Sequence, residues 1–295
     1  MTTSTSPMQL VPLFPDEKLS LRNNGDLEIF FIGVGNAKAR KNNNLNLLLI
    51  KGDEHLMVDF GVTASRALHQ TARLEVTDIG KFLITHSHAD HIGGLEEAAL
   101  DNRYVSRPSH KKPKLQMVIT PAYQEILWDR SLRGGLEWNE EIKTEQRRLT
   151  FTDYFDPIRP RWARNFPREA YRVSIGNINI EMFRTKHVPD NADNWEDSFS
   201  SFGLFVDDRV FLSMDTRFDP QLIEEYADRS EVMFHDVQFF PGAVHAPLED
   251  LKTLPEEVKA KMHLMHYGDT FDKQDITGFA GWAKQGVRYV FPNVG

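Results

Sequence analysis

Cysteine is absent from all 295 residues. That excludes disulfides and thiolate metal ligands, so any metal site must be built from imidazole and carboxylate. Long apolar runs are missing too. No stretch of 18 apolar residues occurs, which argues against a membrane-spanning helix. The opening MTTSTSPMQLVPLFP lacks a basic start, and Pro7, Pro12 and Pro15 interrupt its apolar residues, so no secretory signal is expected. These absences together suit a cytoplasmic chain with no membrane attachment. Excess positive charge is missing as well. The 35 Lys and Arg fall short of the 43 Asp and Glu, leaving −8 at pH 7, which argues against a stable complex with nucleic acid.

What is present is a series of short apolar, β-branched runs. LEIFFIGV (27–34), NLLLI (46–50), HLMVDF (55–60), KFLIT (81–85) and LQMVIT (115–120) come first. INIEMFRT (178–185), SSFGLFV (200–206), RVFLSMD (209–215), EVMFHD (231–236), KMHLMHY (261–267) and VRYVF (287–291) follow. Such runs predict strands, and Asp207-Asp208 predicts a hairpin turn between two of them. Helical periodicity appears at 63–74, 92–100, 121–130, 219–228 and 274–285. Early hairpins and later strand–helix alternation predict one α/β domain over 1–295, with mixed sheets covered by helices. Residues 101–172 differ: they hold 15 Lys or Arg against 10 Asp or Glu and show weak periodicity. This stretch reads as an inserted segment with some helix at 121–130 and 138–148, serving as a lid or substrate-binding element.

The chemistry begins at ITHSHADHIGG (84–94). An apolar strand ends at Thr85; His86, His88, Asp90 and His91 follow within six residues, then Gly-Gly and a helical pattern. Three imidazoles and a carboxylate so close together suit zinc or a similar divalent ion. His86 and His88 project to one side of an extended stretch, because alternate residues share a face. Asp90 and His91 lie past the bend and can face a neighbouring ion.

The run H-S-H-A-D-H resembles the His-x-His-x-Asp-His signature of the metallo-β-lactamase superfamily. Further motifs follow in the superfamily's order: Asp59 ending HLMVD, His187 in FRTKHV, Asp215 in FLSMDTR and His266 in LMHYGD. The resemblance implies an αββα sandwich holding two divalent metal ions, Zn2+ foremost, with Mn2+ or Fe2+ also compatible. It implies that His86, His88 and His187 hold one ion, Asp90, His91 and His266 the other, and that Asp215 bridges them. Asp59 would orient a ligand imidazole from behind. A water between two such ions ionises near neutral pH, which makes a bridging hydroxide the expected nucleophile.

The C-terminal half is similar to the ribonuclease Z-like phosphodiesterase branch. Met-Asp-Thr (214–216), His-Asp-Val-Gln (235–238), His-Ala-Pro (245–247) and His-Tyr-Gly (266–268) keep that branch's order, with Asp236 where the branch has glutamate. This implies His245 as general acid, since an expelled alkoxide needs a proton, with Asp236 orienting it and favouring its charged form. Asp90 joins His245 and Asp236 in the expected catalytic group. The loop VPDNADNWEDSFSS (188–201) follows His187, so Ser200 and Ser201 could bond a phosphate and Trp195 could stack on a base.

The stretch 234–269 resembles the anti-Pycsar cyclic-nucleotide phosphodiesterases that phages and bacteria use against cyclic-nucleotide immune signalling. That resemblance implies 3′,5′-cyclic mononucleotides such as cyclic CMP and cyclic UMP as substrates. It also implies a homodimer, acting in the host cytoplasm if phage-encoded. Alternatives stay open: transfer-RNA 3′ processing, lactone or ester hydrolysis, or a non-enzymatic metal-binding scaffold or sensor.

Overall fold

A computed structural model describes residues 8–14, 16–164, 166–242 and 244–293. Residues 1–7, on which the expectation of no secretory signal partly rests, lie outside them. The chain starts with β1 (Gln9–Pro12), β2 (Leu27–Gly33), β3 (Asn46–Lys51), β4 (Glu54–Val58), β5 (Lys81–Leu83) and β6 (Leu115–Val118). A separate hairpin, β7 (Glu141–Ile142) and β8 (Arg147–Arg148), precedes β9 (Phe155–Ile158). Then come β10 (Arg161–Trp162), β11 (Ala170–Ile175), β12 (Ile178–Arg184), β13 (Phe202–Val206), β14 (Val210–Leu212), β15 (Val232–Asp236), β16 (Met262–Met265), β17 (Gly281–Trp282) and β18 (Val287–Phe291). Two eight-stranded sheets result. The first runs β1-β18-β2-β3-β4-β5-β6-β9; the second runs β10 to β17 in chain order.

The period of two in the apolar runs decides which face each residue takes. On β2, Leu27, Ile29 and Phe31 enter the core between the sheets, whereas Phe30 and Ile32 face outward under helices. On β3, Leu47 and Leu49 point inward while Leu48 and Ile50 point outward, and Met57 of β4 joins the outer group. Phe31 meets Phe234 of the second sheet with ring centroids 5.0 Å apart. Helix Ala64–Ala72 covers the first sheet with Ala64, Ala67 and Leu68. Helix Pro220–Ala227 covers the second, its Tyr226 ring 4.5 Å from Phe183 and 5.1 Å from Phe205. The layers are helix, sheet, sheet and helix. Among the described residues, no helix is long and apolar enough to cross a membrane.

Two predicted helices are absent. The stretch 138–148 is largely polar and forms the β7–β8 hairpin, because its one aliphatic residue, Ile142, offers no apolar stripe to pack. At 274–285, Gly278 and Gly281 adopt φ of +92° and +142°, outside helical space, and the chain turns into β17. Residues 101–172 supply β6 and β9 to the first sheet and β10 to the second, joined by short helices and the hairpin.

Parallel pairing gathers strand ends. β4, β5, β6 and β9 are parallel neighbours in the first sheet, as are β14, β15, β16 and β17 in the second. Asp59, His86, Asp215, Asp236 and His266 all sit at or just beyond the C-terminal ends of these strands, at one end of the sandwich.

Candidate metal centre

Three local devices hold the loops in place. Asp59, Met214 and His266 adopt left-handed backbone, with φ of 60°, 47° and 58°. Such conformations cost about 1–3 kcal/mol each and persist where surrounding contacts over-determine them. The chain turns sharply there, which swings Asp59, Asp215 and His266 into the centre. Gly61 lets the β4 loop press against the metal-motif loop: a Cβ at this position would lie 1.8 Å from the Asp90 carbonyl oxygen. The Phe60 amide donates to His91 O at 2.7 Å, and the Gly94 amide donates to Phe60 O at 2.8 Å.

Around the first position stand His86 Nε2, His88 Nδ1, His187 Nε2 and Asp215 Oδ2. His88 Nδ1 lies 3.0 Å from His86 Nε2 and 3.1 Å from His187 Nε2. Asp215 Oδ2 lies 3.6 Å from His86 Nε2 and 3.7 Å from His187 Nε2. Around the second position, His91 Nε2 is 3.3 Å from Asp215 Oδ1 and 3.5 Å from Asp90 Oδ2. His266 Nε2 is 3.2 Å from Asp90 Oδ2 and 3.6 Å from Asp215 Oδ1. Donors bound to one ion at about 2.0–2.1 Å in a tetrahedron sit about 3.3–3.4 Å apart. Both groups match that spacing, and Asp215 offers one oxygen to each.

The far nitrogens fix the tautomers. Thr85 Oγ1 donates to Asp59 Oδ2 at 2.7 Å, so it must accept from His86 Nδ1 at 3.2 Å. His91 Nδ1 donates to Asp59 Oδ2 at 2.7 Å, His187 Nδ1 to Val244 O at 2.8 Å, and His266 Nδ1 to Asp236 Oδ1 at 3.2 Å. Each of these four rings therefore turns Nε2 inward as the nitrogen left to bind a metal, any proton there being displaced when an ion binds. His91 Nε2 and both carboxylate oxygens of Asp215 are buried without a hydrogen-bond partner among the described residues. Orphaned acceptors converging on an ion-sized gap are what a bound cation satisfies.

Charge points the same way. Four carboxylates, Asp59, Asp90, Asp215 and Asp236, are buried at this end of the sandwich. Burial opposes their ionisation, yet His91 and His266 hold Asp90 far below the usual carboxylate range. Burial alone would lower His266, but Asp215 and Asp236 push it up to about 10. Burial lowers His187 to about 4, with Asp215 only partly opposing. The first group is thus neutral imidazole around one carboxylate oxygen, and the second is richer in acid. Both call for positive charge, which divalent ions supply.

His245 stands at the edge of this cluster, its Nδ1 2.6 Å from Asp236 Oδ2. Burial lowers its pKa, and the Asp236 carboxylate more than reverses that. Asp236 also accepts from the Thr216 amide at 3.1 Å, so one carboxylate links His266, His245 and the Asp215 loop.

The sequence model of the family described as Anti-Pycsar protein Apyc1 matches residues 27–289. The chain belongs to that family. The anti-Pycsar protein Apyc1 of Paenibacillus harenae is 38% identical over 255 residues, covering 85% of this chain and 95% of the relative. That of Bacillus phage BSP38 is 37% identical over 271 residues, covering 89% and 98%. Among solved structures, the metallo-β-lactamase fold protein YhfI from Bacillus subtilis superposes with a TM-score of 0.64 at 16% identity, covering 90% of this chain and 99% of its own. Human tRNase Z, short form, superposes with a TM-score of 0.58 at 14% identity, covering 90% and 100%. These structures establish the fold as metallo-β-lactamase, and that fold with this donor set implies divalent metal ions.

In this Apyc1 family member the three expected substrate contacts stand outside the donor groups. Ser201 is 1% exposed, and its hydroxyl lies 2.7 Å from that of Thr185, so it fastens two loops rather than facing solvent. Trp195 is half-buried under the Arg184 guanidinium, 5.9 Å from its ring centre, and Ser200 is half-buried. Sequence reasoning missed Thr85 and the Val244 carbonyl. A threonine just before the histidine motif was a readable signal; a carbonyl that meets His187 from 57 residues away was not.

Proposed function

We propose that this chain is a metal-dependent phosphodiesterase that hydrolyses 3′,5′-cyclic mononucleotides such as cyclic CMP and cyclic UMP, and so counteracts cyclic-nucleotide immune signalling. The observation that carries the reading is His245, held by Asp236 at 2.6 Å beside two sets of metal donors. Ester or lactone cleavage does not call for a dedicated donor of this kind as strongly as expulsion of a ribose alkoxide does. Membership in the anti-Pycsar Apyc1 family supports the choice of substrate.

Two divalent ions, Zn2+ foremost, would be held by His86, His88, His187 and Asp215 on one side, and by Asp90, His91, Asp215 and His266 on the other. Bound there, they would supply an acidified water and neutralise charge on the phosphate. The chain's own part is positional. Asp59, Thr85, Val244 and Asp236 aim the imidazoles. His245, with Nδ1–H committed to Asp236, is left with Nε2 to carry a proton to the ribose oxygen as its bond to phosphorus breaks and the water oxygen takes its place. The chain would act in the cytoplasm as a homodimer.

A substrate panel with parallel metal analysis tests this. It should contain 2′,3′- and 3′,5′-cyclic mononucleotides, cyclic dinucleotides, precursor tRNA and a lactone. Turnover of the 3′,5′-cyclic pyrimidine nucleotides is expected. Turnover confined to precursor tRNA or to the lactone would overturn the reading.

A further inference from the structure

The geometry points to Arg217 as a phosphate-binding residue that grips the substrate from the cavity it shares with His245. This rests on the phosphodiesterase reading above. A cavity of about 160 Å³ is lined by Arg217, Phe218, Gly242, His245, Pro247 and Asp250. It holds both the proton donor and a permanent cation, and its size suits a phosphate group rather than a whole nucleotide.

Arg217 differs from most of the partly buried arginines, although half-buried Arg107 likewise meets only a backbone carbonyl, Asp153 O at 3.2 Å. Arg103, Arg168, Arg184 and Arg209 each meet a carboxylate within 3.1 Å. Arg217 is half-buried, yet no carboxylate of the described residues lies within 4.0 Å of it. Among the described residues its side chain makes one hydrogen bond, an N–H donated to the Ala192 carbonyl at 2.7 Å. Asp250 lines the same cavity without pairing with it. A guanidinium has five N–H donors in a fixed fork, and one is used. The rest match the paired oxygens of a phosphate, which a guanidinium binds in two-pronged fashion.

The backbone beneath this side chain is already fixed by the catalytic end of the molecule. The Arg217 amide donates to Lys186 O at 2.6 Å, immediately before His187. The neighbouring Thr216 amide donates to Asp236, which also holds His245. Arg217 is therefore referenced to a donor of the first metal group, to the bridging Asp215 two residues earlier, and to the proton donor. A cyclic phosphodiester carries one negative charge and gains a second as water adds to phosphorus. A fork placed on its non-bridging oxygens binds both states and the second more strongly.

The test uses the metal-loaded protein, with bis(p-nitrophenyl) phosphate as substrate and inorganic phosphate as competitive inhibitor. Arg217→Gln should lower kcat/KM by about 10²-fold and raise the phosphate inhibition constant about 10-fold, with metal content and melting temperature unchanged. Arg217→Lys, which keeps the charge but loses the fork, should recover part of the phosphate inhibition. An unchanged inhibition constant in Arg217→Gln overturns the inference. If that variant does not fold, the wild-type protein decides: phosphate should protect Arg217 from phenylglyoxal, read by peptide mass spectrometry, and equal modification with and without phosphate overturns it. A wild-type protein inactive on every phosphodiester would instead defeat the reading on which this rests.

Discussion

The two sheets contribute to the centre in opposite ways. The first supplies His86, His88, Asp90 and His91 from one loop after β5. The second supplies His187, Asp215, Asp236, His245 and His266 from four connections spread over 80 residues. In the first case local geometry suffices: alternate residues on an extended stretch, then one helical turn. In the second, each side chain is placed by strand register, since β12 to β16 must all pair correctly before the donors meet. The second contribution is accordingly fastened by long-range bonds: His187 to Val244, His266 and His245 to Asp236, Thr185 to Ser201. One half of the centre is made by spacing, and the other half by packing.

The strongest way to break this pairing is to remove the residue both halves share. Asp215 comes from the second sheet, yet its two oxygens lie 3.3 Å from His91 and 3.6 Å from His86 of the first. Asp215→Ala should abolish turnover and lower metal content to one ion or none per chain, read by elemental analysis of the purified protein. Two retained ions with wild-type turnover would mean that the sheets build independent sites. A smaller effect is expected from His245→Ala, which lies on the second side only and outside the two four-residue donor groups. Both ions should stay, and cleavage should slow by roughly 10²–10⁴-fold, the range for a lost general acid. Loss of metal in step with activity would make His245 a structural ligand instead.

The same contrast explains what could be read in the sequence. His86 to His91 were legible because their spacing alone brings them together. His187, Asp215 and His266 were legible only through their order behind strands, which a family resemblance supplied. Gly61 and the Val244 carbonyl were not legible, because their roles exist only once distant segments touch. The loop 188–201 shows the limit from the other side. Its position after His187 was readable, but not that Ser201 would be spent on Thr185. In 101–172 the basic excess was visible, whereas the strands β6 and β9 within it join the first sheet. Deleting that stretch as a whole would unzip a sheet edge, whereas the β7–β8 hairpin pairs with neither large sheet.

The weakest predicted effect concerns a histidine of the second sheet that packing has placed without giving it a partner. His263 lies on β16, three residues before His266. It is 7% exposed, stacked 5.3 Å from Phe234 and edge-on to Tyr289 at 5.5 Å, and its Nδ1 has no hydrogen-bond partner among the described residues. His86, His91, His187 and His266 have committed far nitrogens and carboxylate neighbours. His263 has neither, and burial, helped by Lys284, lowers its pKa to about 4. In the unfolded chain the same ring titrates near 6.5. The unfolded state therefore binds the extra proton first as pH falls, so stability present above about pH 6.5 is lost between there and about pH 4. From pH 7 to pH 5 that loss is about 2 kcal/mol for a shift of this size. His263→Leu should remove it. Urea unfolding at the two pH values should show a fall in stability about 2 kcal/mol smaller in the variant than in the wild type. Contributions from the site histidines are common to both proteins and cancel in that difference. Equal falls would mean that His263 accepts its proton in the folded chain, and that burial on the second sheet does not by itself separate a packed histidine from a working one.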